Sequence, residues 1–110
     1  MNSLYEVFWT NVAENDLKDI VEYIAEEDRL QTALKIVKQI RKKAQNLYTL
    51  PERGRIVPEL QEQGIFQYRE IVISPWRLIY KIVERKIFVL SVIDSRRNVE
   101  DILLRRIVGQ

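Results

Sequence analysis

Near the middle of the chain the spacing of apolar residues changes from a helical period to a strand period, and that switch dictates a fold in two parts. Before it, Ala13, Leu17, Ile20, Val21 and Ile24, then Ala33, Ile36, Val37, Ile40, Ala44 and Leu47, recur three and four positions apart, so each set lines one face of a helix. After it, Tyr68 to Ile73, Arg77 to Val83 and Lys86 to Ile93 alternate or run apolar at a period of two and read as strands. Their separators, Ser74-Pro75-Trp76 and Glu84-Arg85, are too short for a crossover helix, so the three strands are expected to pair as antiparallel hairpins. Ile87 to Ile93 is apolar on both faces apart from Ser91, which places it centrally with helices on one side.

The remaining signals complete the order. Leu4 to Trp9 is rich in β formers and reads as a first strand. Thr10 or Asn11 can cap the first helix, with Glu14 three residues after Asn11; Asp28, followed by Gln31, reads as the cap of the second, which stops before Leu50-Pro51. The proline-bounded stretch from Pro51 to Pro58 reads as an irregular loop, continued from Gln61 to Gly64, and Asn98 can cap a short last helix carrying Val99, Ile102, Leu103 and Ile107. The predicted order is β-α-α-β-β-β-α, an α+β fold in which a helical hairpin covers one face of a small, mainly antiparallel sheet, within a single domain over residues 1–110.

Composition narrows the chemistry. With 46% hydrophobic and 31% charged residues, 110 residues can bury a core without staples. The chain has no Cys and no His, which removes disulfides, the usual zinc ligands, Cys nucleophiles and every His-dependent triad. Catalysis, if any, falls to Lys, Arg, Tyr, Asp or Glu, and no metal or cofactor is implied. No apolar run approaches the roughly 20 residues of a membrane helix and the N-terminus lacks a secretory pattern, so a cytoplasmic protein is expected.

The net charge of +2 conceals strong segregation. Asn11 to Asp28 holds one base, Lys18, against seven acids, a local sum of −6. Arg29 to Arg55 holds eight bases against Glu52 alone, a local sum of +7. Neighbouring helices of opposite sign attract across their outer faces, and that accounts for much of the pattern. The arginines of the second half, Arg69, Arg77, Arg96 and Arg97 among them, suit an anionic partner. If Leu78, Tyr80 and Ile82 face the core, Arg77 and Lys81 line an open sheet face, with Arg69 brought near them across the turn and Arg96 and Arg97 at the end of the next strand.

Five short runs in order then resemble a known family. Asp16-Leu17-x-x-Ile20-x-x-Tyr23-Ile24, Leu50-Pro51-Glu52-x-Gly54-Arg55-x-x-Pro58-Glu59, Tyr68-Arg69-Glu70, Trp76-Arg77-Leu78-Ile79-Tyr80 and Ser91-Val92-Ile93-Asp94-Ser95-Arg96-Arg97 are similar to the RelE/ParE superfamily of type II toxin-antitoxin toxins. The resemblance implies the fold already read and a cognate antitoxin, usually encoded adjacently, in a toxin-antitoxin hetero-oligomer. It also implies one of two activities: RelE-like cleavage of mRNA on the ribosome, or ParE-like poisoning of DNA gyrase.

On the nuclease reading the catalytic residues are Arg69, Arg77, Arg96 and Arg97, with Ile71 standing where a further strand base is found. Target-binding candidates on either reading are Arg55, Arg69, Trp76, Arg77, Lys81, Arg96 and Arg97. Many members carry His where this chain has Asp94, and the last helix here lacks Tyr, which directs the reading toward gyrase inhibition without nuclease chemistry. An inactive homologue that retains only antitoxin binding is the third reading. Structural roles stand beside these: Tyr80, Tyr68 and Trp9 as core, Trp76 as an exposed turn aromatic, Arg55 paired with first-helix acids or Glu59, and Asp94 with Arg96 and Arg97 tying the last strand to the last helix. Replacing Arg77 and Arg97 together by Ala is expected to remove toxicity with the fold intact.

Overall fold

The computed structural model describes residues 4–109. Three hairpin-connected strands form where the period of two predicts them: β3 (Tyr68–Ile73), β4 (Trp76–Val83) and β5 (Lys86–Asp94). The first strand, β1 (Glu6–Trp9), joins parallel to β5, and the sheet order is β1-β5-β4-β3-β2. β5 therefore has a neighbour on each side, as its apolar run requires.

The helical hairpin consists of α1 (Asn11–Glu27) and α2 (Leu30–Gln45), followed by a single 3-10 turn. Thr10 begins α1, because its hydroxyl accepts the Ala13 N–H at 3.2 Å while donating to the Val89 carbonyl at 3.0 Å. That double use ties the helix start to β5. Further along α1, Asp16 accepts the Val92 N–H at 2.8 Å, at a point on β5 beyond the end of β1 where no strand would satisfy it. Asp28 does not cap α2. It ends α1, with its N–H donating to the Ile24 carbonyl, and α2 starts after Arg29 without any side-chain cap.

Two elements in the proline-bounded loop carry no sequence period. β2 (Arg55–Ile56) is a two-residue strand on β3, and α3 (Pro58–Gln61) is one turn started by a proline, whose missing N–H costs nothing at that position. With α4 (Val99–Val108) they build a second core. Ile40, Leu47, Leu78, Tyr80, Ile87 and Val89 lie between the helical hairpin and the sheet; Val57, Leu60, Tyr68, Ile79, Ile93, Val99 and Leu103 lie on the other face under α3 and α4. Fully burying one such aliphatic side chain contributes about 1.5–3 kcal/mol. The face expected to be open is thus covered over its middle. Its uncovered strip carries Lys81, Val83 and the stacked Phe8–Phe88 pair, ring centroids 5.6 Å apart. A bulge at Leu90 re-phases β5, turning Ser91 onto the α4 side.

Tyr80 is core, as expected, and its hydroxyl also organises the loop outside: it donates to the Pro51 carbonyl at 2.7 Å and accepts the Gly54 N–H at 2.9 Å. Residue 54 must be glycine, because a Cβ there would press on the Glu70 carbonyl oxygen and lie 2.7 Å from the Tyr80 hydroxyl. Tyr80→Phe strands both loop groups and is expected to cost about 1–3 kcal/mol in urea unfolding. Gly54→Ala, which forces main chain to move, is expected to cost more; a reversed ranking would contradict this assignment.

Candidate functional site

Alternation along β4 puts Arg77 on the face away from the helical hairpin, beneath α3, where its side chain is only 9% exposed. A guanidinium there must find anions. Its two terminal nitrogens each donate to Glu59 of α3 at 2.7 Å, and its Nε donates to Glu70 Oε1 at 2.7 Å. The other oxygen of Glu70, a fully buried side chain, accepts from Arg55 Nε at 2.7 Å. Two carboxylates and two guanidinium groups form a neutral chain, and no buried side-chain nitrogen or oxygen among the described residues lacks a partner. The Arg77 hydrogen bonds hold the Glu59 carboxyl below its usual range, and Glu59 first, then Glu70, raise the Arg77 pKa.

The predicted cluster is divided. A three-residue turn at Ser74-Pro75-Trp76 would set Arg69 beside Lys81, but Trp76 is the first residue of β4 and pairs with Ile73, so Arg69 pairs with Tyr80 instead. One residue of slip reverses the face. Arg69 therefore points to the side opposite Arg77 and Lys81, where it donates to the Gly54 carbonyl at 2.7 Å. Lys81 sits on the uncovered strip, in register with Tyr68 and Phe88. Arg55 pairs with Glu70 rather than with Glu59 or the first helix.

Three predicted residues do meet. Trp76, Arg96 and Arg97 line a cleft of about 530 Å³ at the end of the sheet, with Tyr23 and Ile20 of α1 opposite. Trp76 is half-buried in its wall rather than exposed on the turn. Asp94 accepts the Arg96 side chain through both oxygens and the Arg96 N–H at 2.9 Å, and the guanidinium holds its pKa down to about 2. This pair closes the turn after β5 instead of reaching α4. The tie to α4 is Arg106, which donates to Asp16 at 2.8 and 3.0 Å and to Ser91 Oγ at 2.8 Å. Sequence reasoning missed Glu70, Asp16 and Arg106 as network members and gave Glu59 to Arg55, whereas it pairs with Arg77. The one available signal was an acid inside a strand run, Glu70, which is unfavourable there unless paired.

The family model for the ParE toxin of the type II toxin-antitoxin system parDE matches residues 7–99. The chain belongs to the ParE toxin family. A chain from the chromosomal ParDE toxin-antitoxin system of P. aeruginosa is similar in fold, with a TM-score of 0.69 at 19% identity over 84% of this chain and 98% of that one. A chain of the RelBE2 toxin-antitoxin complex of Mycobacterium tuberculosis gives 0.54 at 19% identity over 83% and 91%. No curated protein sequence matches significantly. For this ParE-family chain no helix is long and apolar enough to cross a membrane among the described residues.

Arg77 is a structural tie, so the expectation that its removal spares the fold is revised. Arg77→Ala takes the cation from one oxygen of buried Glu70, leaving Arg55 on the other, and strips Glu59 of its partner; it is expected to cost about 3 kcal/mol by chemical denaturation. Acid should act similarly. Asp94, Glu59 and Glu14 all have lowered folded pKa values, caused by Arg96, Arg77 and Arg41 respectively, so their stabilisation is present above the unfolded values near 4 and is lost as pH falls through the folded ones. The thermal midpoint is expected to be level from pH 7 to about 5 and to fall toward pH 2, with a shallower fall in Asp94→Asn. An unchanged acid profile in that variant would count against the Asp94–Arg96 pair.

Proposed function

We propose that this ParE-family toxin arrests growth in the cytoplasm by binding DNA gyrase, without nuclease chemistry. The carrying observation is the saturation of Arg77 by Glu59 and Glu70. Metal-free RNA cleavage needs a base for the 2′-hydroxyl, a cation on the phosphate and a donor for the leaving oxygen. Here the central guanidinium is already neutralised, Arg69 faces away from it, and Arg96 is held by Asp94. The chain has no His, and Tyr68 and Tyr80 are buried.

What remains suits recognition. The cleft of Trp76, Tyr23, Arg96 and Arg97 combines aromatic and arginine side chains, the types that dominate binding energy at protein interfaces. We assign target contact to Trp76, Arg96 and Arg97 in the cleft, with Lys81 on the uncovered sheet strip and Arg55 beside β3 as separate further contacts and Arg77 and Arg69 as supports. The P. aeruginosa relative belongs to a ParDE system, which supports a cognate antitoxin, encoded beside this toxin, that masks it in a hetero-oligomer.

Induced expression tests this reading. Growth arrest with double-strand DNA breaks and intact transcripts is expected, with growth restored by co-expression of the neighbouring antitoxin frame. Codon-phased mRNA cuts would instead establish the RelE-like nuclease, and unaffected growth an inactive homologue. Trp76→Ala with Arg97→Ala is expected to abolish the DNA breaks in a folded protein.

A further inference from the structure

The basic segment from Arg29 to Arg55 is not consumed by the acidic first helix. α1 and α2 are joined by one ion pair, Glu14–Arg41. Lys35, Lys38, Lys42, Lys43 and Arg53 are all exposed, and none has a carboxylate within 4.0 Å among the described residues. Lys35, Lys38 and Lys42 stand three and four positions apart on α2, which makes them one row. Lys43, in the last turn of α2, and Arg53, beyond the helix end, continue the positive surface and both line a polar cavity of about 390 Å³.

Of the surrounding exposed acids only Glu52 adjoins the patch, beside Arg53, and its carboxylate lies 3.9 Å from Arg69; the others lie elsewhere. The hairpin is antiparallel with Glu14 beside Arg41, so Glu22, Glu26, Glu27 and Asp28 collect at the α1–α2 turn, at the opposite end from Lys42, Lys43 and Arg53. Glu14 is occupied by Arg41, Asp16 by Arg106, and Glu70, in the cavity wall, by Arg55 and Arg77. One end of the hairpin thus presents uncompensated positive charge.

We propose that the row Lys35–Lys38–Lys42, continued by Lys43 and Arg53, docks on the phosphodiester backbone of duplex DNA. At about 1.5 Å rise per residue, the row from Lys35 to Lys42 is about 10 Å long. A DNA strand carries one phosphate per about 3.4 Å of axis, so the row covers two to three phosphates. A protein partner suits it less, because Gln31, Gln39, Gln45 and Asn46 flank the lysines, Leu34 is the only exposed apolar residue on α2 beyond its first residue, and lysine is depleted from protein interface cores while aromatics are enriched. Lysines act here as point charges, which position a backbone without reading sequence. The choice of DNA among polyanions rests on the gyrase reading, since gyrase holds duplex DNA.

Fluorescence anisotropy with the full chain and a mixed-sequence DNA duplex, without gyrase or antitoxin, tests the proposal. Four phosphate contacts predict a loss of affinity of about 100-fold between 50 and 200 mM salt. Lys38→Glu with Lys42→Glu is expected to weaken binding at least about 10-fold and to flatten the salt slope, the Gln pair less so, while Arg105→Glu on α4, across the sheet from the helical hairpin, changes it about two-fold or less. Absence of binding at low salt, binding indifferent to the Glu pair, or preference for duplex RNA overturns the proposal. Loss of gyrase binding by the Glu pair with no DNA affinity in the parent chain also overturns it, in favour of an acidic protein surface. Gyrase inhibition is scored separately, so DNA binding without gyrase inhibition refutes only the gyrase reading, and the reverse refutes only this one.

Discussion

Arg77 reaches from the middle of a strand to Glu59 on a one-turn helix and to Glu70 on the neighbouring strand, and Glu70 passes the contact on to Arg55. Each member would be costly alone, because burying an unpaired ion costs several kcal/mol. Together they hold the short α3 turn over the sheet, which has too few residues to fold on its own. The second core, with Leu60 and Val57 against Ile79 and Leu103, forms because α3 is held there. The same saturation withdraws the central arginine from any anionic ligand.

Much of the architecture was legible in the sequence. The β3, β4 and β5 ranges and the helical hairpin follow from periods that local patterning sets, and the expected α+β order stands, with β2 and α3 added. β2 and α3 were not legible, since two residues and four residues carry no period and exist through pairing with β3 and packing on α4. The cap at Asp28 failed for a related reason. The two helices are so close in sequence that this residue serves as the end of α1.

The site was harder to read because faces depend on register. A turn shorter by one residue moved Arg69 across the sheet, and the bulge at Leu90 moved Ser91, neither of which composition encodes. Trp76, Arg96 and Arg97 came together because Trp76 opens β4 opposite Asp94 while Arg96 and Arg97 follow the end of the adjacent antiparallel β5, a relation the hairpin order does imply. Charge segregation was visible at once, yet its meaning changed. The two helices share a single ion pair, so the opposite signs mark separate surfaces more than a mutual attraction. The resulting toxin has an interior arginine network for structure, an aromatic and arginine cleft that we propose for recognition, and a lysine row on α2.

The claim that Arg77 is a structural tie is tested most directly by a double-mutant cycle on Arg77→Met and Glu70→Gln, read by urea unfolding at neutral pH. The account predicts a coupling of about 2 kcal/mol, because each single change leaves a buried charge short of one partner, with only Arg55 or Glu59 remaining, and the double change removes both charges. Additivity within about 0.5 kcal/mol would contradict it and return Arg77 to the set of residues free to bind a ligand.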